Sequence, residues 1–159
     1  MANGFFKVPY PKNEPVLNYE PGSAARAALQ SAIEEARSTE VDIPMYIGGD
    51  EIRTENKQRL SPPHDHQFTL GYFHEGDRDH VTQAIDAALA AKPLWSNLSW
   101  EYRASIFLKA AELLAGPYRY KINAATVLGQ SKNAYQAEID SACELIDFLR
   151  FNVYYMSQI

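Results

Sequence analysis

The stretch that most constrains the fold runs from residue 127 to residue 152 and has the spacing of one long helix. From about Asn133 onward its apolar side chains recur at steps of three and four, and a second set widens this face well beyond that of a surface helix. The first set is Tyr135, Ile139, Ala142, Ile146, Leu149 and Val153, and the second is Leu145, Phe148, Phe151 and Tyr155. A helix with so wide an apolar face is expected to be buried on most sides.

The polar side chains of the same stretch form one row. Gln136, Asp140, Glu144 and Asp147 step by four, four and three, so they share one side of the helix. Acidic side chains on an otherwise apolar helix face either water or a partner that compensates their charge. The solvated face is the commoner arrangement, and the row by itself leaves both alternatives open. Asp147 and Arg150 have the i,i+3 spacing of an ion pair.

The composition limits what the whole chain can be. With 159 residues, 46% of them hydrophobic, it can form one ordinary globular domain with a core. A net charge of -5 and scattered basic residues argue against a nucleic-acid surface. No apolar run approaches membrane-spanning length, and residues 1–7 resemble neither a signal peptide nor a transit segment. We therefore expect a cytoplasmic protein, or one trimmed of its targeting segment, whose partners are small molecules or proteins.

The chain divides into two parts by pattern. Residues 1–21 contain four prolines and little periodicity, which predicts an extended arm that lies across another surface. Residues 22–159 contain no repeat and no long linker, so we expect a single helical unit with a small sheet. The predicted fold class is mostly α with a small antiparallel β-sheet (α+β).

The first half of this unit combines one helix with short strands. Ser23 is a suitable N-cap for a helix that runs to about Arg37. Gly48-Gly49-Asp50 has hairpin chemistry, because glycine adopts positive φ without steric cost. The predicted strands cover residues 43–47, 58–61 and 68–73, and we expect them to pair in one antiparallel sheet.

The second half is helical. Asp77 and Ser99 can cap two successive helices, the first ending at Pro93 and the second running to about Leu114. Val81, Ile85, Ala88 and Leu89 form the apolar face of the first helix, and Trp100, Ala104, Phe107, Leu108 and Ala111 that of the second. A third helix is predicted over residues 117–128, with Gly129 just past its end. Ser131 is then expected to open the long helix.

Four polar side chains invite a metal hypothesis, since imidazole and carboxylate groups are zinc ligands. They are His64, Asp65, His66 and His74. His64 and His66 would point to opposite faces of an extended segment that follows two prolines. The spacing therefore favours a polar surface turn, and we expect no metal site.

The sequence contains no recognisable catalytic machinery. It has no G-x-G-x-x-G motif, no P-loop and no Ser/His/Asp set in a known context. Its one cysteine, Cys143, can form neither an internal disulfide nor a zinc site. Because Cys143 adjoins Glu144 and lacks a basic neighbour, a small buried side chain is the favoured interpretation over a reactive thiolate. We therefore expect no catalytic residue in this chain.

Several strings resemble one known family in the same order along nearly the whole chain. In the long helix they are Leu128-Gly-Gln-Ser-Lys132, Gln136-Ala-Glu-Ile-Asp140 and Glu144-Leu-Ile-Asp-Phe-Leu-Arg-Phe-Asn152. Upstream they are Asn13-Glu-Pro-Val16, Pro21-Gly-Ser23, Gly48-Gly-Asp50, Ser61-Pro-Pro-His64, Ala84 to Ala91 with Trp95, Phe107 to Ala111, and Leu114-Ala-Gly-Pro117. Together they resemble the amino-terminal region of the Δ1-pyrroline-5-carboxylate dehydrogenases, within the aldehyde dehydrogenase superfamily.

The resemblance implies a function for a longer chain. Enzymes of this family oxidise glutamate semialdehyde to glutamate with NAD in proline catabolism, by thiolate attack on the aldehyde followed by hydride transfer. Their nucleophile and cofactor site lie downstream of the region that resembles this one. The resemblance therefore implies an inactive isolated chain that binds no NAD by itself. It also implies that the remainder of the enzyme chain is a partner, and that the complete enzyme is a homo-oligomer.

One residue role carries over. The resemblance places Glu144 on the helix that lines the mouth of the aldehyde pocket, where it would contact the polar end of the substrate. The alternative is a stand-alone, non-catalytic helical binding or interaction module. A region built to pack on a further domain should expose apolar surface and bind a hydrophobic dye, whereas a stand-alone module should not.

Overall fold

The computed structural model describes residues 6–159, and helices dominate it. The helices are α1 (Ala24–Ser38), α2 (Arg78–Asn97), α3 (Trp100–Ala115), α4 (Arg119–Gln130), α5 (Ala134–Ala137) and α6 (Glu144–Met156), with a π-helical segment at Glu138–Cys143. The strands are β1 (Val41–Ile43), β2 (Met45–Ile47), β3 (Asp50–Ile52), β4 (Lys57–Leu60) and β5 (Gly71–His74). The predicted mostly helical fold with a small sheet is confirmed. None of the helices in residues 6–159 is long and apolar enough to cross a membrane.

Three of the predicted helix starts, those at Ser23, Asp77 and Ser99, are confirmed by their capping hydrogen bonds. The Ser23 hydroxyl accepts the Arg26 N–H at 3.2 Å, and the Ser99 hydroxyl accepts the Tyr102 N–H at the same distance. Asp77 accepts two backbone N–H groups in the first turn of α2. Each cap satisfies backbone donors that have no partner within the helix.

The strands form two sheets where one was predicted. In the first sheet the order is β1-β5-β4, with β1 parallel to β5 and β4 antiparallel to it; β2 and β3 form a separate antiparallel hairpin. The predicted strand over residues 43–47 is confirmed at Met45–Ile47, but Ile43 belongs to β1, because Pro44 has no N–H to donate to a ladder and divides the two strands. The glycine hairpin is confirmed, with φ of 64° at Gly48 and 99° at Gly49.

The predicted end of α2 at Pro93 is also wrong. The helix continues through this proline to Asn97. A proline removes one backbone hydrogen bond but leaves those of the following residues available. The predicted apolar face of α2 is exposed, with Val81, Ile85 and Leu89 at 60%, 54% and 60% of their full surface. Phe107 of α3, predicted to face inward, is exposed as well.

The junction between α4 and α5 differs from the prediction by a few residues. Gly129 lies inside α4, and Ser131 ends that helix in the left-handed conformation with φ of 56°. Asn133, rather than Ser131, caps α5 through a hydrogen bond from the Gln136 N–H. The Ser131 hydroxyl instead lies 2.7 Å from His64 Nδ1, a tertiary contact that helical spacing does not reveal.

The core consists of two small clusters. Tyr19, Leu29 and Ala124 join the amino-terminal segment to α1 and α4. A second cluster joins α3 to the π-helical segment and α6 through Ala111, Ala142 and Ile146. Residues 6–20 form no helix or strand, and residues 1–5 of the predicted arm lie outside the described residues. The division into an arm and a single unit stays a prediction.

Candidate functional site

A buried carboxylate organises the middle of the long helical stretch. The Glu138 side chain is fully buried, with no exposed surface. One oxygen accepts the Tyr19 hydroxyl at 2.6 Å and the Asn123 side-chain amide at 2.7 Å, and the other accepts the Leu17 N–H at 2.9 Å. The Arg119 guanidinium completes the set with an ion pair. Every acceptor position of this carboxylate is therefore used.

These contacts fix the charge states of the cluster. Burial opposes ionisation of Glu138, but the hydrogen bonds from Arg119, Tyr19 and the Leu17 N–H outweigh it, so the pKa of Glu138 lies below its usual value. Although burial acts in the opposite direction, the hydrogen bonds to Glu138 and Glu14 raise the pKa of Arg119. Burial and the neighbouring carboxylate raise the pKa of Tyr19. At neutral pH the cluster holds an ionised pair and a neutral phenol.

A second carboxylate ties the amino-terminal segment to α6. Glu14 accepts from Arg119 and, at 2.7 Å, from Arg150. Asp147 accepts the Asn13 side-chain amide and the Glu14 N–H, each at 2.7 Å. The predicted pair between Asp147 and Arg150 is therefore wrong, because both side chains bind the amino-terminal segment instead. The amino-terminal segment lies more than a hundred residues away from α6 in sequence, so local spacing could not reveal these partners.

The buried cluster coincides with the π-helical segment. The Glu144 N–H donates to the Ile139 carbonyl five residues back, in place of the α-helical partner four residues back. The extra residue rotates the preceding turn relative to α6. Tyr135 and Ile139 consequently lie on the surface, although their spacing had placed them on one buried face with Ile146. The sequence did carry one signal for this cluster. Glu138 lies four residues before Ala142, so its helical spacing places a charged side chain on that apolar face.

The acidic row lies on the outer surface beside a groove of about 620 Å³. Glu144, Asp140, Phe148 and Phe151 line it from one side, and the amino-terminal segment lines it from the other. The other members of the row are engaged: Asp140 pairs with Lys132 at 2.7 Å, Asp147 binds the amino-terminal segment, and Gln136 caps α5. Within residues 6–159, the side chain of Glu144 has no hydrogen bond or ion pair. Its carboxylate is the one in the row that is available to a ligand.

Cys143 lies at the base of this groove but is not a nucleophile. Its side chain is buried, and burial together with the negative charge of Glu138 raises the pKa of the thiol to about 11. A thiol with this pKa is almost entirely protonated at neutral pH, and the thiolate is the reactive form. The predicted buried role of Cys143 agrees with the structure.

The histidines occupy separate positions. His74 is buried and lies 3.0 Å from Asp42 and 2.8 Å from the Thr54 backbone, whereas His64 contacts Ser131. Residues 6–159 contain no group of three or more histidine, cysteine, aspartate or glutamate side chains that could hold a metal ion.

Comparison with known families gives one clear match. The sequence model described as the aldehyde dehydrogenase family matches residues 51–159, which is more than half of the chain. Glu144 and the side of the groove formed by α6 lie within this match, whereas the amino-terminal segment on the other side lies before it.

Curated relatives and solved structures extend the similarity to nearly the whole chain. Delta-1-pyrroline-5-carboxylate dehydrogenase from Agaricus bisporus is 51% identical over 97% of this chain, and the mitochondrial enzyme of that name from Dictyostelium discoideum is 45% identical over 96%. The Mycobacterium tuberculosis Delta-pyrroline-5-carboxylate dehydrogenase bound with NAD superimposes with a TM-score of 0.96 at 43% identity, over 99% of this chain. The chain spans 28%, 27% and 30% of these three proteins.

Proposed function

The chain belongs to the aldehyde dehydrogenase family, and we propose that it is the amino-terminal part of a longer NAD-dependent Δ1-pyrroline-5-carboxylate dehydrogenase. The observation that carries this proposal is the 51% identity over 97% of the chain to a relative of that name. The proposed reaction oxidises glutamate semialdehyde to glutamate, as a step of proline catabolism. The isolated 159-residue chain is expected to be inactive.

The proposal assigns binding rather than bond-making to this region. In the complete reaction the aldehyde carbon loses a hydride, and water supplies the second oxygen of the product carboxylate. NAD, when bound, accepts that hydride. The present sequence has no glycine-rich dinucleotide motif, and Cys143 is buried and protonated. The nucleophile and the NAD site are therefore assigned to the remainder of the longer chain.

Glu144 is proposed to select the amino-acid end of the substrate. Glutamate semialdehyde carries a cationic α-amino group and an anionic carboxylate. A free carboxylate in the groove attracts the ammonium group and repels the substrate carboxylate, so it favours one orientation of the substrate. The support is that Glu144 lines the groove while its acidic neighbours Asp140 and Asp147 are already paired.

The Glu144→Gln variant of the full-length enzyme tests this role. Because Glu144 is exposed and solvent screens its charge, we expect a loss of about 1 kcal/mol, or roughly fivefold in kcat/KM, for glutamate semialdehyde. The kcat/KM for an uncharged aliphatic aldehyde of similar length should be unchanged. Asp140→Asn is the matched control, since it removes a neighbouring charge that Lys132 already neutralises. Equal losses for both aldehydes would remove Glu144 from substrate selection.

The proposal as a whole is tested on the polypeptide in its source cells. The mass of the native product that contains these peptides should be about three to four times that of the 159 residues, in keeping with the relatives it covers by 27–30%. The purified native product should reduce NAD in the presence of glutamate semialdehyde. A native product of 17.9 kDa would instead favour the stand-alone binding module.

Two further properties belong to the same proposal. We propose a homo-oligomer for the full-length enzyme, which light scattering after size-exclusion chromatography measures directly. We also propose the cytoplasm as its compartment, a reducing environment that suits a chain with a single cysteine. Several relatives carry the word mitochondrial in their names, so recovery of the protein in a purified mitochondrial fraction would overturn this assignment.

A further inference from the structure

A second groove lies on the opposite side of Phe148, between the end of α2, α3 and α6. Its volume is about 390 Å³, and its walls are mostly apolar, with four aromatic side chains among them: Trp95, Trp100, Phe107 and Phe148. These two tryptophans are the only ones in the chain. Aromatic side chains on three separate elements thus converge on one apolar surface. Phe107 and Phe148 leave 44% and 54% of their area exposed there.

One cation lies in this apolar groove without a counter-charge. Arg103 of α3 lines the groove, and its Nε is buried with no hydrogen-bond acceptor in the described part of the chain. No ion pair of Arg103 occurs within residues 6–159. A guanidinium stays charged at any physiological pH, and a buried donor without an acceptor is destabilising. The groove therefore lacks an anionic oxygen that would balance the charge of Arg103.

We propose that this groove is the docking site for a carboxylate-bearing segment of the remainder of the longer enzyme chain. An aspartate or glutamate of that segment pairs with the Arg103 guanidinium, and an adjacent apolar side chain packs between the tryptophans and Phe107. A carboxylate is the acceptor that matches the guanidinium in both charge and planar geometry. This inference rests on the proposed function, because the present chain spans only 28% of a relative such as the Agaricus bisporus enzyme.

The shared side chain Phe148 connects this docking site to the Glu144 groove. Phe148 lines both grooves, one on each side of α6. A segment seated on Arg103 would press against one face of Phe148 and hold the ring that forms a wall of the other groove. The docked segment would therefore shape the substrate groove without contacting Glu144.

The test is a photo-crosslink from inside the groove in the polypeptide at its native length. p-Benzoylphenylalanine replaces Phe107, and mass spectrometry identifies the crosslinked peptide after irradiation. The expected partner is a peptide of the same polypeptide, outside these 159 residues, with an aspartate or glutamate close to the crosslink. The same probe in place of Tyr46, an exposed side chain of the β2–β3 hairpin, is the control and should not yield that peptide.

A charge reversal then tests the ion pair itself. Arg103→Glu should lower the thermal midpoint of the native-length enzyme, and reversing the crosslinked acid to arginine should restore most of that loss. Arg103→Met keeps the apolar packing but offers the acid no partner, so the same reversal should not rescue it. Crosslinks only to a second copy of the chain, detected by mixing isotope-labelled and unlabelled protein, would overturn the proposal. So would a partner peptide without an acid, or no rescue.

The two proposals fail in different ways. A native product of 17.9 kDa would refute the proposed function and this inference together. A longer product that oxidises glutamate semialdehyde, but whose groove crosslinks elsewhere, would refute this inference alone.

Discussion

Replacing Glu138 by glutamine should be the most destabilising single-atom exchange in the described part of the protein. The two Glu138 oxygens accept from five different residues, the Cys143 thiol among them, at the junction of the amino-terminal segment, α4 and the π-helical segment. Glutamine keeps the shape of the side chain but turns one acceptor into a donor. If the new NH2 group takes the place of Oε2, it would meet the Tyr19 hydroxyl and the Asn123 amide.

The structure indicates how much of this loss can be recovered. Asn123 Oδ1 is buried and has no partner in the described residues, so a flip of the Asn123 amide would give the new donor an acceptor. Arg119 also keeps Glu14 as a second carboxylate. Removing one partner of a buried ion pair typically costs about 3–5 kcal/mol. With both compensations the expected cost lies at the lower limit, about 3 kcal/mol.

Urea denaturation measures this cost. With a slope of about 2 kcal/mol per M, the midpoint of Glu138→Gln should fall by about 1.5 M. Glu112→Gln is the control, because Glu112 is exposed on α3 and pairs only with Lys109; its midpoint should not change. Hydrogen exchange at the Leu17 N–H should accelerate in Glu138→Gln alone. A midpoint shift below about 0.5 M would refute the view that this network holds the π-helical segment.

The same carboxylate predicts the response to acid. The pKa of Glu138 is lower in the folded protein than its usual value near 4.5, so its contribution to stability is present above that value. The contribution is lost as the pH falls through the folded pKa. When the pH falls below about 4.5, the free energy of unfolding should therefore decrease less in Glu138→Gln than in the unchanged protein. An identical acid dependence in both proteins would contradict this assignment.

Three further outcomes follow from local structure. At pH 8 the Cys143 thiol should react with a disulfide reagent about a hundredfold more slowly in the folded protein than in urea, because burial raises its pKa from 9.0 to about 11; equal rates would show that the thiol is accessible. Gly71→Ala should cost about 3 kcal/mol or more, since the new Cβ would lie 2.0 Å from the Val41 carbonyl oxygen and separate β1 from β5. Gly129→Ala, which has open space around it in α4, should instead stabilise the protein by about 0.5–1 kcal/mol, as measured by urea denaturation.

Local signals predicted the regular elements well. Ser23, Asp77 and Ser99 begin helices where their capping chemistry indicated, and the Gly48-Gly49 turn forms the expected hairpin. These features depend on residues that are near one another in sequence, and a side chain at a helix start or in a turn has few alternatives. The pairing of β1 with β5 was not predicted, because thirty residues separate the partners and no local spacing specifies a parallel pair.

The amino-acid sequence by itself thus determined the helices, the hairpin and the family resemblance that singled out Glu144. The tertiary structure decided which acids are free. In the sequence Glu138 is one more polar residue of a predicted helix. In the folded protein Arg119, Tyr19 and Asn123 surround it. In the sequence Asp147 is available to a ligand, but in the folded protein Asn13 and the Glu14 N–H bind it. The physical reason is that burying a charge depends on partners brought together only by folding, whereas helix capping and turn formation depend on adjacent residues.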